Sequence, residues 1–185
     1  MWERLVRRGA AVVVVAALGA AVVVSVVSAS TDAGAAPCRG SDLSGTFSAV
    51  PGSAGAGQIS YVLRLRNRSS RACFVSGLPA VRLLGKTGRA LPTRVAPAHP
   101  GALTAVRVVL APGGYAAATA RFSPDVPGVG EQAAGPCEPT AYRIRVTPPA
   151  GSGTLLAPVR PPTSVCERGR MVFSVVVAGR SGPVP

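Results

Sequence analysis

His99 is the one histidine of the 185-residue chain, and it sits in Pro97-Ala98-His99-Pro100-Gly101. A histidine acting as a general base needs a carboxylate to orient it and a nucleophile within reach. Beyond the first 35 residues the acids are only Asp42, Asp125, Glu131, Glu138 and Glu167, scattered over loop-forming sequence. Serines are plentiful, but no Gly-x-Ser-x-Gly elbow occurs. No Gly-rich segment follows a strand pattern and opens a helix, as phosphate-binding loops do. His99 therefore reads as a solvated loop residue and the chain as non-enzymatic; the alternative is an extracytoplasmic enzyme or redox protein whose site the sequence does not display.

Sulfur offers the second chemistry. The four cysteines are Cys38, Cys73, Cys137 and Cys166. No pair has C-x-x-C spacing and a single histidine is available, so neither a metal site nor a bound cofactor is expected. An even cysteine count in an exported chain reads as disulfides. Three pairings are possible. The expected one is Cys38–Cys73 with Cys137–Cys166, which ties the first strand to the third segment and joins the last two strands. A redox-active pair would need close spacing or a low-pKa setting.

The third chemistry is that of arginine. Lys86 is the only lysine among twenty basic residues, and the formal net charge is +13. Asn occurs once and Ile twice, while Ala, Gly, Val, Pro and Arg dominate, the composition a GC-rich genome writes. Codon usage and solvated strand faces account for much of the excess. Arg64, Arg66, Arg68 and Arg71 form the densest basic stretch. On a strand Arg64 and Arg66 share a face, and so do Arg143 and Arg145 on another. If those strands are neighbours, one sheet face carries four guanidiniums, suited to anionic cell-wall polymers or lipid headgroups. The alternative is an ordinary polar outer face.

The start of the chain decides which partners can be met. Arg4, Arg7 and Arg8 precede a run without charge over residues 9–29. The basic cluster stays cytoplasmic and the rest is carried outward. Ala33-Gly34-Ala35 supplies small residues for a signal-peptidase cut before Ala36. Uncut, the run is long enough to span a bilayer as a helical anchor. Residues 1–35 are thus a signal peptide or membrane anchor, 36–180 an extracytoplasmic domain, and 181–185 a frayed tail. Export removes nucleic acid from the partners. Arg7-Arg8 lacks the bulkier apolar residues of a twin-arginine signal, and Pro37 before Cys38 does not fit a lipoprotein box.

The elements that must position these groups read as strands. Period-two alternation marks 42–50, 57–67, 103–110, 140–147 and 169–178, and turn signals bound further strands at 72–75, 81–84 and 115–122. In the strand at 140–147, Tyr142, Ile144 and Val146 are expected to face inward. In the last strand Met171, Phe173, Val175 and Val177 are expected to share a face. Prolines make 91–102 a loop, and 123–136 a second one. Ala111-Pro112-Gly113-Gly114 is the clearest hairpin signal. Asn67-Arg68-Ser69 matches a glycosylation sequon, but a turn closed by Asn is the simpler reading. About eight short strands predict an all-β, antiparallel β-sandwich of immunoglobulin-like architecture, with a core of mostly Val, Leu and Ala. The inner tryptophan of a true immunoglobulin domain is missing.

The order of landmarks resembles a known family. The residues that carry the resemblance begin with the Gly55–Leu65 run, Asn67, Ser69, Ser70 and Cys73. Gly77, Pro79, Val81, Leu83, Leu84 and Gly88 follow, then the Leu110-Ala111-Pro112-Gly113-Gly114 turn, Cys137 and Cys166. Over roughly 38–178 the chain is similar to the secreted bacterial domain of unknown function 4232 of high-GC Gram-positive bacteria. The resemblance implies a disulfide-bonded β-sandwich of the cell envelope and carries no activity with it. The absent lipoprotein box is this chain's departure from many relatives.

Overall fold

The computed structural model describes residues 34–101, 105–133 and 136–183. The apolar run 9–29, with the expected signal or anchor, lies outside the described residues. Among the described residues no helix is long and apolar enough to cross a membrane.

Twelve strands are present among the described residues: β1 (Ala36–Pro37), β2 (Leu43–Ala49), β3 (Ile59–Asn67), β4 (Cys73–Ser76), β5 (Ala80–Leu84), β6 (Arg94–Pro97), β7 (Arg107–Leu110), β8 (Tyr115–Phe122), β9 (Ala141–Thr147), β10 (Leu155–Thr163), β11 (Arg170–Phe173) and β12 (Val177–Ala178). A small sheet has the order β1-β4-β7. A large one runs β5-β9-β10-β2-β3-β8-β11-β6, with β12 also on β8. The result is an all-β sandwich whose larger sheet curls toward a barrel. Pairing is mostly antiparallel, with three parallel contacts: β1 with β4, β10 with β2, and β11 with β6.

Alternation explains the burial. Phe47, Leu63 and Leu65 are fully buried, whereas their neighbours Thr46 and Arg64 are only partly covered and Arg66 is exposed. Ile144 and Val146 point inward as expected; Tyr142, at the strand's start, is 38% exposed. The core is less aromatic-poor than its composition implies. Phe47 lies 5.1 Å from Tyr61, 6.1 Å from Phe173 and 6.4 Å from Phe122 between ring centroids. Concentrating four rings at one place gives the alanine-rich strand β8 something to pack against.

Several elements differ from expectation, each for a local reason. β6 forms within the proline-rich 91–102 segment because it is an edge strand, pairing only with β11. β10 carries Pro158, Pro161 and Pro162 yet lies between β9 and β2. Its ladder to β9 breaks between Pro158 and Thr163, where the missing N–H groups cost little. The last strand divides into β11 and β12, because Ser174 exchanges hydrogen bonds with the Thr119 backbone through both its own N–H and its Oγ. The side-chain alternation slips there, so Val176 is fully buried and Val175 and Val177 are not.

The Pro-Gly-Gly turn does not close a hairpin. β7 pairs with β4 in the small sheet, while β8 pairs with β3 in the large one, so the turn is a corner between sheets. Asn67, fully buried, holds that corner. Its N–H donates to Gly114 O at 3.0 Å and its carbonyl accepts from Gly113 N at 2.9 Å. Its side-chain Nδ2 donates to Arg71 O at 2.7 Å and Leu110 O at 2.9 Å. Its Oδ1 accepts from Ser69 N and Ser69 Oγ at 2.9 and 2.8 Å. With both amide protons used and no exposure, the Asn67 sequon is structural.

Both expected disulfides are present, with Cα–Cα distances of 4.9 Å for Cys38–Cys73 and 5.4 Å for Cys137–Cys166. They close 35- and 29-residue separations. Each contributes about 3–4 kcal/mol by restricting the unfolded chain. Two formed disulfides indicate an oxidising environment.

Asn67→Ala removes the buried donor from the Leu110 carbonyl, while the Arg71 carbonyl keeps Ser69 Oγ. It is expected to lower unfolding free energy by about 3 kcal/mol in urea titration, and Ser69→Ala by about 1 kcal/mol. A loss below about 1 kcal/mol for Asn67→Ala would show that the corner does not depend on this amide.

Candidate functional site

Among the described residues no strand contains an acidic residue, and ten arginines lie on strands. From residue 34 to 183 there are seventeen Arg and Lys against five Asp and Glu. Among the described residues a single ion pair forms, Arg170 with Glu167 at 3.1 Å. Arg170 of β11 apart, the strand guanidiniums are therefore not paired with carboxylates, and their positions decide where an anion is attracted.

Arg64 and Arg66 project from the outer face of β3, opposite Thr46 and Ser44 of β2 on one side and Ala117 and Tyr115 of β8 on the other. The chain after β12 returns over this face. Arg64 Nε donates to Arg180 O at 2.7 Å. The Arg180 guanidinium stands 4.2 Å from the Tyr115 ring centre, and that of Arg66 5.7 Å from the same ring. Two cations are thus oriented by one aromatic ring. Ser44, Thr46, Arg64, Arg66, Tyr115 and Arg180 line an open hollow of about 530 Å³ without any carboxylate. The terminal nitrogens of Arg64 make no hydrogen bond to the described protein. Guanidinium forks match carboxylate and phosphate oxygens two at a time, and the flanking hydroxyls can donate as well.

The tail that follows Arg180 reads as frayed in the sequence, but its described part, through Pro183, lies on the sheet. Gly182 packs on the backbone of Ala118 and Thr119 so closely that a Cβ would collide with both. This cover explains why Val62, outward on β3, is only 3% exposed.

The other two arginines of the expected face lie elsewhere. Arg143 and Arg145 do point outward from the same sheet, but β9 is not a neighbour of β3; β10 and β2 intervene. Arg143 donates to Lys86 O at 3.1 Å. Alternation could place two arginines on one side of one strand; strand order, on which the four-guanidinium face depended, could not be read that way. Arg180 was missed because nothing in the tail's composition says that it folds back.

His99 is exposed after β6, where Ser174 lines the same shallow pocket and no carboxylate does. The carboxylate of Glu131 and the sulfurs of Cys137 and Cys166 lie within 4.8 Å of one another. The sulfurs are bonded to each other and offer no thiolate. Glu131 is itself engaged: it accepts from Gly128 N at 2.7 Å, Glu167 N at 2.9 Å and Arg168 N. Glu167, Arg168 and Gly169 are consecutive left-handed residues, at φ 54°, 57° and 76°. Such a turn costs about 1–2 kcal/mol per non-glycine residue unless its surroundings impose it. Here the Glu131 carboxylate and the Cys137–Cys166 link impose it. The cluster is a structural clamp.

A family model described as a domain of unknown function, DUF4232, matches residues 38–175. The chain belongs to that family. The match takes in both disulfides and every strand from β2 to β11, so the DUF4232 domain is the sandwich itself. Comparison with curated proteins and with solved structures gives no match. The hollow of this DUF4232 domain uses Arg64, Arg66 and Tyr115 from the matched region, and Arg180 from beyond it.

The clamp has a pH dependence with a definite sign. Hydrogen bonds from Gly128 N–H, and then from Arg168 and Glu167, hold the Glu131 carboxyl below its usual range, against the opposing effect of burial. Glu138 is shifted the other way, raised by burial and then by the Glu131 charge. A depressed carboxyl stabilises the fold above its unfolded value and loses that contribution as pH falls through the folded one. The Glu167 and Arg168 amide resonances are expected to move together on acidification, with a midpoint below the ordinary glutamate range. Glu131→Gln should abolish that transition. Resonances that stay flat, or that titrate at a normal glutamate value, would contradict the clamp.

Proposed function

We propose that this is a non-enzymatic, exported module of the bacterial cell envelope that binds anionic groups in the Arg64–Arg66–Arg180 hollow. The observation that carries the reading is three guanidiniums converging with two hydroxyls and no carboxylate, on a domain whose strands bear no acid at all. Export is supported by the basic start and uncharged run of the first 29 residues and by the two disulfides. The ligand group is a phosphate or a carboxylate, as presented by wall or lipid material outside the cytoplasmic membrane. The domain is held near that membrane if the 9–29 run is retained, and is released if it is cut.

The hollow suits reversible capture. It is open, so the bound anion keeps part of its hydration, and attraction is screened over about 8 Å at physiological salt. Charge-assisted hydrogen bonds of about 1.5–3 kcal/mol each supply the affinity, and the stacked Tyr115 reduces the ordering cost for Arg66 and Arg180.

The test is retention of the full chain on phosphate-bearing and carboxylate-bearing matrices across a salt gradient. R64S/R66S/R180S is expected to weaken retention at least tenfold, with both disulfides formed and the unfolding midpoint unchanged. Equal retention of the folded triple variant and the parent would refute the assignment.

A further inference from the structure

Arg82 of β5 stands directly opposite Arg145 of β9 in antiparallel register. Both are exposed, and neither makes a hydrogen bond or ion pair among the described residues. Like charges facing each other directly across strands destabilise a sheet. An anion between them reverses that effect. The pair lies on the outer face of the large sheet, as the hollow does, and the register relates the two. Arg145 pairs with Leu156 of β10, the β10–β2 register of Val159 with Phe47 brings Leu156 level with Ser44, and Ser44 pairs with Arg66. One transverse row across the strands therefore reads Arg82, Arg145, Leu156, Ser44, Arg66, Tyr115. Arg145 and Arg66 are three strand spacings apart, about 14 Å.

We infer that Arg82 and Arg145 form a second anion subsite, and that the ligand is a linear polyanion lying across the strands from this pair to the hollow. The inference rests on the hollow binding anions. Between the two subsites the row offers a hydroxyl and an apolar side chain, Ser44 and the 53%-exposed Leu156, and no carboxylate. This step accepts the neutral portion of a polymer whose anions are spaced along a backbone. A chain suits the face better than a flat bilayer does. Successive strands rotate by about 20–25°, so arginines three strands apart diverge in direction; a flexible chain follows that turn and a plane does not. Linkage through a common ligand makes the second contact intramolecular, so affinity rises with ligand length once the span is reached.

The experiment measures binding of the full chain to inorganic polyphosphates of graded length, from pyrophosphate to chains far longer than about 14 Å, with a parallel series of oligogalacturonates. The parent is expected to bind long chains at least tenfold tighter per chain than pyrophosphate, beyond the gain from counting phosphates. R82S/R145S should lose that gain while pyrophosphate affinity stays unchanged, and its slope of log affinity against log salt should fall by about two. R94S/R121S removes the same charge from exposed positions off the row and should keep the length dependence. A step with length in either series supports the inference and identifies phosphate or carboxylate as the group recognised. No step in either series, loss of the step in R94S/R121S as well, or tighter binding to phosphatidylglycerol vesicles than to long chains overturns it. Failure of the parent to bind pyrophosphate or digalacturonate would instead refute the hollow, so the two readings fail separately.

Discussion

The buried amide of Asn67 is the constraint on which this sandwich turns. β3 must end where the chain leaves the large sheet, and β7 must hand over to β8 across the gap between sheets. Both events occur at one residue. Six hydrogen bonds converge on it, from the 67–71 turn, from the Leu110 carbonyl and from the Pro-Gly-Gly corner. An unpaired polar group at that depth costs about as much as a whole small-domain packing contact, so the arrangement succeeds only when complete. A complete one specifies a single corner geometry and hence the relative placement of the two sheets.

Charge is sorted by element as sharply as apolarity is sorted by face. Ten arginines lie on strands and, among the described residues, no acid does, so the usual remedy of cross-strand ion pairs is unavailable. The guanidiniums settle instead against carbonyls and rings: Arg107 over Phe74 at 4.1 Å, Arg180 over Tyr115, Arg143 on Lys86 O. Such contacts orient a cation without cancelling its charge. The outer face therefore keeps an excess of positive charge. The few acids are used for architecture, most clearly Glu131, whose carboxylate stands in for the backbone acceptors that a left-handed turn does not provide.

The cost of this sorting also explains the cross-links. A domain with seven aromatic side chains beyond residue 35, four of them gathered in one cluster, has limited burial to set against crowded like charge. Cys38–Cys73 secures the small sheet, joining the segment after β1 to β4. Cys137–Cys166 secures the loop beside the left-handed turn. Each lies where hydrogen-bonded ladders are short, which is where constraint of the unfolded chain contributes most relative to local packing.

Much of the fold was legible because strands announce themselves through a period of two. The alternation in Ile59–Asn67 and Ala141–Thr147 follows directly from placing one face in a dry core, and Asn67 and the four cysteines were readable as turn and bridges from residue type. Prolines hid β6 and β10, since the rule that excludes proline from ladders is blind to edges and bulges that only neighbours create. The Pro-Gly-Gly corner looked like a hairpin because its local geometry is that of a reverse turn; which sheets it joins is decided by Asn67, 43 residues from its Leu110 partner. For the site, composition and alternation determined that arginines face outward in pairs. Tertiary structure alone decided which pairs share a hollow and which are separated by two strands, because strand order is settled by long-range closure of the core and leaves no mark on the sequence within a strand.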